Sequence, residues 1–338
     1  MKPALELQLA GADARDGGLA RDAFLRRFPT YARADWDAAI AANRLLADGA
    51  PLAPDAPARA GMRLAYFPPS EPEPAVDDAY AIVYEDAAIA LVNKSGNLPC
   101  HPAGRYYDNT LARLLQSRDG FPSALMVNRL DRETSGLVLV AKTPEAASRC
   151  GRDLMGGQFS KSYLAITEGA WSLPSPHAAT GEIRLERGEI IRKKRVYRAG
   201  GTEAEAAAAP AAGQKCETIF NALSATPPAI STAFSLMEAR PLTGRPHQIR
   251  ATLKALGYPI AGDKLYGADE TIYARLCADE LTARDHERLH RLSRQMLHAW
   301  RLGFPHPFTR EPLFFEAPPP PDFANFAAAA RLQLPPVS

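Results

Sequence analysis

Hydrophobic and polar positions change rhythm near residue 80. Before it, Leu19, Phe24, Leu25 and Phe28 recur at the three- and four-residue spacing of one helix face, and Trp36, Ile40 and Leu45 mark a second. This spacing predicts a small helical module over residues 17–67 that ends in short strands. The run PPSEPEPAVDD, residues 68–78, has the proline and acid content of a stiff, solvated linker. From Tyr80 the chain turns to short apolar runs with β-branched residues: AIVY, AIALVN, ALMVN, GLVLVAK and SYLAITEG. These predict strands. Helical spacing falls between them at Thr110–Gln116 and Pro144–Leu154. Crossover helices do not regularly separate the strands, so the expected class is α+β with a largely antiparallel mixed sheet. Four prolines follow Ala317. The expected organisation is a module at 1–67, a linker at 68–79, a main domain at 80–322 and a tail at 323–338.

Composition narrows the picture by exclusion. The 338 residues carry 40 Lys+Arg against 38 Asp+Glu, and 46% of them are hydrophobic. That excludes a disordered chain, a collagen-like chain and a globally basic nucleic-acid coat. It leaves RNA binding open, because a basic patch fits inside a neutral average. One such patch is Arg184–Arg198, with seven basic residues, two acids and an aromatic at Tyr197. Four scattered cysteines without a C-x-x-C pair argue against a disulfide framework and for a reducing compartment, taken as the cytoplasm. The N-terminus does not read as a signal peptide, and no apolar stretch approaches the ~20 residues of a membrane helix. Ala204–Ala212 is low-complexity and reads as a surface insertion.

Candidate chemistry concentrates in three segments. In ALMVNRLDRETSGLVLVAK, Asp131 lies among Arg129 and Arg132 in a polar loop between two apolar runs. Nearby cations keep a carboxylate ionised, which suits a nucleophile or a base. A charged surface loop is the plain alternative. In LTGRPHQIRATLKALGYPIAGDKLYG, a helix is expected to begin near Pro246 and to end at Gly257, with His247 and Arg250 on one side of its first turns. An arginine there pairs bidentately with a carboxylate or a phosphate, or simply lines a solvated basic face. In QFSKSYLAITEG, Lys161 and Tyr163 alternate on a strand and share a face. A tyrosine so placed packs in a core or offers a flat surface to a base.

Two motifs mislead. MGGQFSKS resembles a phosphate loop, but Met155 and Ser160 stand where glycines are required. His286-Glu287-Arg288-Leu289-His290 is a formal H-E-x-x-H, which on a helix would bind zinc with Glu287 as base. Its apolar stripe, Leu281, Leu289, Leu292 and Met296, lies roughly 120° from the histidines at ~3.6 residues per turn. That directs His286 and His290 towards solvent, and no third-ligand pattern follows.

Three segments in order, NRLDRETSGLVLVAK, SKSYLAITEG and TGRPHQIRATLKALGYPIAGDKLYG, resemble the RluA-like family of RNA pseudouridine synthases. IVYEDAAIALVNKSGNLPCHPAG and LHAWRLGFPHP add to the match, which spans residues 80–322. The resemblance implies a mixed α/β domain around a largely antiparallel sheet with an RNA cleft. It implies isomerisation of uridine in ribosomal or transfer RNA, without cofactor or metal; a monomer is the default expectation. Asp131 matches the family's essential aspartate, Tyr163 its active-site tyrosine, Arg250 the arginine that pairs with the aspartate, and Arg129 a residue thought to help extrude the base. Asn128 departs from the His common before that arginine, and Ser95 from a common Pro. Residues 17–67 weakly resemble the small RNA-binding module that often precedes these synthases. With nine basic and eight acidic residues in 1–70, they lack its usual charge. The competing reading from another class is a non-catalytic RNA-binding protein on the same fold; a zinc hydrolase through His286 and His290 is the third.

Overall fold

The structure is a computed structural model that describes residues 5–11, 18–28, 31–67, 73–121, 123–185, 194–200, 213–227, 232–267, 269 and 271–336. It divides into two units, Met1–Glu73 and Pro74–Ser338.

The first unit runs β1 (Leu5–Gln8), α1 (Ala20–Arg27), α2 (Arg33–Ala41), β2 (Leu45–Ala47), β3 (Ala50–Pro51) and β4 (Arg63–Tyr66). Its sheet has the order β1-β4-β2-β3, and every pairing is antiparallel. Phe24 and Trp36 meet edge to face at 5.0 Å beneath it. The two helices lie where the spacing predicts them. The module is nonetheless as much sheet as helix: β1 precedes residue 17, and Leu45 opens β2 instead of extending the second helix. Three- to four-residue strands carry too little periodicity to be told from helix ends.

The second unit opens with β5 (Tyr80–Glu85) and β6 (Ile89–Lys94), then α3 (Leu111–Arg118), β7 (Leu125–Met126), β8 (Ser135–Ala141) and α4 (Pro144–Met155). Next come β9 (Ser160–Glu168), β10 (His177–Leu185), β11 (Arg195–Ala199), β12 (Gln214–Ala225) and β13 (Phe234–Pro241). It closes with α5 (Gln248–Ala255), α6 (Thr271–Ala278), α7 (Ala283–Arg288), β14 (Leu297–Pro305), β15 (Pro312–Glu316) and α8 (Pro321–Ala329). One sheet takes in all these strands, in the order β11-β10-β12-β13-β9-β14-β8-β6-β5, with β15 on β14 and β7 on β8. Among the described residues only β8 and β14 pair in parallel.

Strand β8 explains the layering. All seven of its residues are buried, so both of its faces are covered. Leu137, Leu139 and Ala141 pack with Ala146 and Cys150 of α4. Val138 and Val140 pack with Leu111 and Leu115 of α3. Thr110 caps α3 and Thr143 caps α4, each accepting the amide three residues on. Gly136 has φ +109°, and a Cβ there would lie 2.2 Å from the Ala299 carbonyl oxygen. Only glycine permits so close an approach of β8 to β14.

Three boundaries move. The stretch after 322, expected to be a tail, is core: Phe323, Ala327, Ala330 and Leu332 are buried with Ile166 and Leu236. The last of the four prolines, Pro321, opens α8 behind Pro320 instead of ending the domain, since proline suits a first helical turn. Of the expected linker, residues 74–79 belong to the second unit, where Pro74 accepts from Asn109 and Val76 packs beside α3. Most of the basic run, 186–193, and all of 204–212 lie outside the described residues. Tyr197 is buried, and its hydroxyl donates to the Thr180 carbonyl.

Candidate active site

Asp131 lies in the loop between β7 and β8, and that loop is tied down from several sides. Asn128 accepts from the Leu139 amide at 2.7 Å and donates to the Leu137 carbonyl at 3.3 Å. Asn128, the departure from the family pattern, therefore pins the loop to β8. The fully buried Lys94 donates to the carbonyls of Ser95 and Arg132. Lys264 grips both Glu133 oxygens at 2.9 Å. Gln295 donates to Thr134, and the buried His298 meets Ser135 at 3.0 Å. A carboxylate held on so fixed a base is oriented before any substrate arrives.

Arg250 reaches Asp131 from α5. Its Nη1 donates to Asp131 Oδ2 at 2.6 Å, while Nε and Nη2 donate to the two oxygens of Asp263 at 2.7 and 2.9 Å. Asp263 is fully buried and also accepts the amides of Leu265 and Tyr266. The helix itself begins two residues later than expected. His247 precedes it with φ +56°, a left-handed conformation uncommon for histidine. Gln248 is buried and staples the preceding turn: it accepts from Thr243 and the Arg245 amide and donates to Glu217 and Thr218 on β12.

Burial works to raise the Asp131 pKa. The Arg250 charge and the Arg250 hydrogen bond more than offset it, and the carboxyl stays below its usual range. Burial likewise opposes, and Arg250 and the two amides outweigh, in Asp263. Arg250 is held charged by Asp263 and Asp131 against its own desolvation. Tyr163 lines the same cleft from β9, its phenol pushed up first by burial and then by the Asp131 charge. Arg129 is exposed at the cleft and approaches His101 Nε2 at 3.4 Å. The cleft encloses about 900 Å³ and is also lined by Lys161 and His247. A flipped nucleoside fits a space of that order.

The structure thus brings Asp131, Tyr163 and Arg250 to one cleft and sets Arg129 on its rim. It leaves the H-E-x-x-H elsewhere. His286 is exposed on α7, which stops at Arg288, and His290 has φ +53°. That turn breaks the helical register a zinc pair needs. His290 is half-buried, not solvated, and its Nε2 meets Glu168 at 3.2 Å. No group of three His, Cys, Asp or Glu converges among the described residues. Sequence reasoning did not single out Asp263 or Tyr266. The one local signal was Gly262-Asp263, a glycine at φ +76° before an aspartate that caps its own turn.

A carboxylate paired with a buried arginine and sharing a cleft with a tyrosine, on an α+β sheet, is an arrangement suited to acid–base or nucleophilic chemistry on a base held in that cleft. The sequence matches the family described as RNA pseudouridylate synthase over residues 88–255. It is 31% identical over 303 residues to ribosomal large subunit pseudouridine synthase D of Pseudomonas aeruginosa, covering 88% of this chain and 87% of that one. It is 34% identical over 189 residues to the mitochondrial tRNA pseudouridine(32) synthase of Saccharomyces cerevisiae. That match takes in 56% of this chain and 37% of the length of the yeast protein. The solved structure of human RNA pseudouridylate synthase domain containing 1 superposes with a TM-score of 0.56 at 25% identity, over 78% of this chain and 100% of that one. The chain belongs to the RluA-like RNA pseudouridine synthases, a family of isomerases.

Proposed function

We propose that this chain isomerises uridine to pseudouridine in structured RNA, with Asp131 as the catalytic carboxylate. The observation that carries the reading is the state of Asp131: kept ionised, with Oδ2 tied to Arg250, beside Tyr163 in the cleft. The target nucleotide flips out of its stack into the cleft. The N-glycosidic bond breaks and its electron pair leaves with the uracil ring. Asp131 assists by attacking the anomeric carbon or by taking a sugar proton. The ring turns and its C5 bonds to the anomeric carbon as the Asp131–sugar bond breaks or, on the other route, as the sugar regains its proton; C5 then loses its proton and N1 takes one up. Tyr163 stacks on the base and assists that loss. Arg129 enters the space vacated by the flipped base. Every electron pair and proton in this scheme is handled by substrate and side chains, so it asks for no cofactor.

The RNA is ribosomal or transfer RNA, the substrates named for the bacterial and yeast relatives. We take the protein to act as a monomer, and to work in a reducing compartment, where its four free cysteines stay reduced. No helix among the described residues is long and apolar enough to cross a membrane.

The test is Asp131→Asn beside Asp131→Ala. Both are expected to lose pseudouridine formation, read by chemical mapping of reacted RNA, while keeping fold and RNA affinity. Wild-type rates in either variant would end the assignment. Binding without isomerisation by the wild type would favour the non-catalytic reading instead.

A further inference from the structure

The two oxygens of Asp131 differ. Oδ2 is occupied by Arg250 at 2.6 Å, whereas Oδ1 faces His247 Nε2 at 3.8 Å, too far for a hydrogen bond. On its other side, the His247 ring puts Nδ1 2.9 Å from the Tyr266 hydroxyl. That hydroxyl already accepts the Arg195 amide of β11 at 2.8 Å. Tyr266 is 2% exposed, so its single O–H must find an acceptor inside the protein. His247 Nδ1 is that acceptor. The hydroxyl hydrogen therefore goes to Nδ1, and the ring proton of neutral His247 sits on Nε2, aimed at Asp131. The opposite tautomer would strand the Tyr266 hydrogen and turn a nitrogen lone pair towards a carboxylate.

We propose that Tyr266 locks His247 as the Nε2–H tautomer and that His247, so locked, is a positioning residue that holds Oδ1 of Asp131 as the free, reacting oxygen. This rests on Asp131 being the reacting carboxylate. The groups facing His247 are Asp131 from the β7–β8 loop, Arg250 from α5, Asp263 and Tyr266 from the following turn and Arg195 from β11. Burial pushes its pKa down, which fits a neutral ring. The N–H dipole favours the anion without binding the oxygen, so Oδ1 keeps its lone pairs for the sugar. Arg250 and Gln295 hold the carboxylate by hydrogen bonds; the His247 N–H adds a dipole aimed at Oδ1 that favours one rotation of the carboxylate over others.

The test reads the ring and the reaction separately. In the full chain labelled with nitrogen-15 histidine, long-range proton–nitrogen spectra report each ring's tautomer, and loss of one signal set in His247→Gln assigns His247 among the seven histidines. His247 is expected to be neutral with its proton on Nε2 at pH 7. Tyr266→Phe is expected to show both tautomers and a kcat about ten- to a hundredfold lower, with KM for RNA unchanged, the size of effect that misplaced reacting groups produce. Because Tyr266→Phe also frees the Arg195 amide, a second pair leaves that bond alone. His247→Leu should lose activity by the same factor, and His247→Gln, which keeps a neutral N–H donor, should recover most of it. A His247 proton on Nδ1, or equal activity in the Leu and Gln variants, overturns the proposal. An inactive wild type that shows the expected tautomer overturns the assigned reaction, not the lock.

Discussion

Arg250 donates to Asp131 at 2.6 Å across 119 residues of sequence, while the rest of its guanidinium is held by Asp263. One buried cation thus serves two carboxylates. Asp263 is fully buried and Asp131 is partly open to the cleft, with a side chain 30% exposed. Asp263 sets the arginine; the arginine sets Asp131.

That order of dependence separates two variants. Asp263→Asn leaves Arg250 buried without its main counter-charge, and breaking a buried pair from one side costs about 3–5 kcal/mol. We expect a loss of that size in urea denaturation, together with loss of activity. Asp131→Asn leaves the Asp263 pair whole and should cost far less stability. Equal destabilisation by the two would contradict this hierarchy.

The Tyr163 hydroxyl has no hydrogen-bond partner among the described residues, although the residue packs between two core clusters. Tyr163→Phe should therefore melt close to the wild type, as the ring contacts remain. If the hydroxyl assists proton loss from C5, turnover falls on the order of a hundredfold with RNA affinity kept. Tyr163→Leu should weaken both. Unchanged turnover in Tyr163→Phe would confine the residue to stacking.

Gly136→Ala tests the join between β8 and β14. The residue has φ +109°, and the added methyl would press on the Ala299 main chain. Conformational strain and overpacking together should cost about 3 kcal/mol or more. Because Asp131 precedes β8 by a few residues, turnover should fall alongside the melting temperature. A variant that melts like the wild type would show that the two strands separate freely.

His298 gives a pH dependence. It is fully buried between Ser135 and the Ala317 carbonyl, and burial pushes its pKa down to about 4. The unfolded chain titrates this ring near its ordinary value of about 6.5. Between these values the unfolded state binds more protons, so stability falls as pH drops below about 6.5 and levels off near the folded pKa. The full contribution is about 3 kcal/mol. In His298→Gln the slope of denaturation midpoint against pH should flatten over that window. An unchanged slope would mean that the ring is protonated in the fold.

The H-E-x-x-H shows why short motifs need their context. Its two histidines share a helix face only while the helix lasts, and α7 ends at Arg288. Tyr197 makes the same point for the basic run: one-dimensional charge did not reveal that the strand turns its ring into the core. Proline at 318–321 was ambiguous in the same way, since it ends one element and begins the next.

By itself the sequence determined the α+β class, the five strands from β5 to β9, the helices α3 and α4, and the three polar segments that carry the chemistry. Those features rest on local periodicity and charge spacing, all written within a few neighbouring positions. Only the tertiary structure decided that Asp263 stands behind Arg250, that Tyr266 orients His247 towards Asp131, and that α8 belongs to the core. Each is a contact between distant segments, fixed by the order in which strands pair. Hydrogen-bond partners and burial are properties of that order, and no spacing along the chain encodes them.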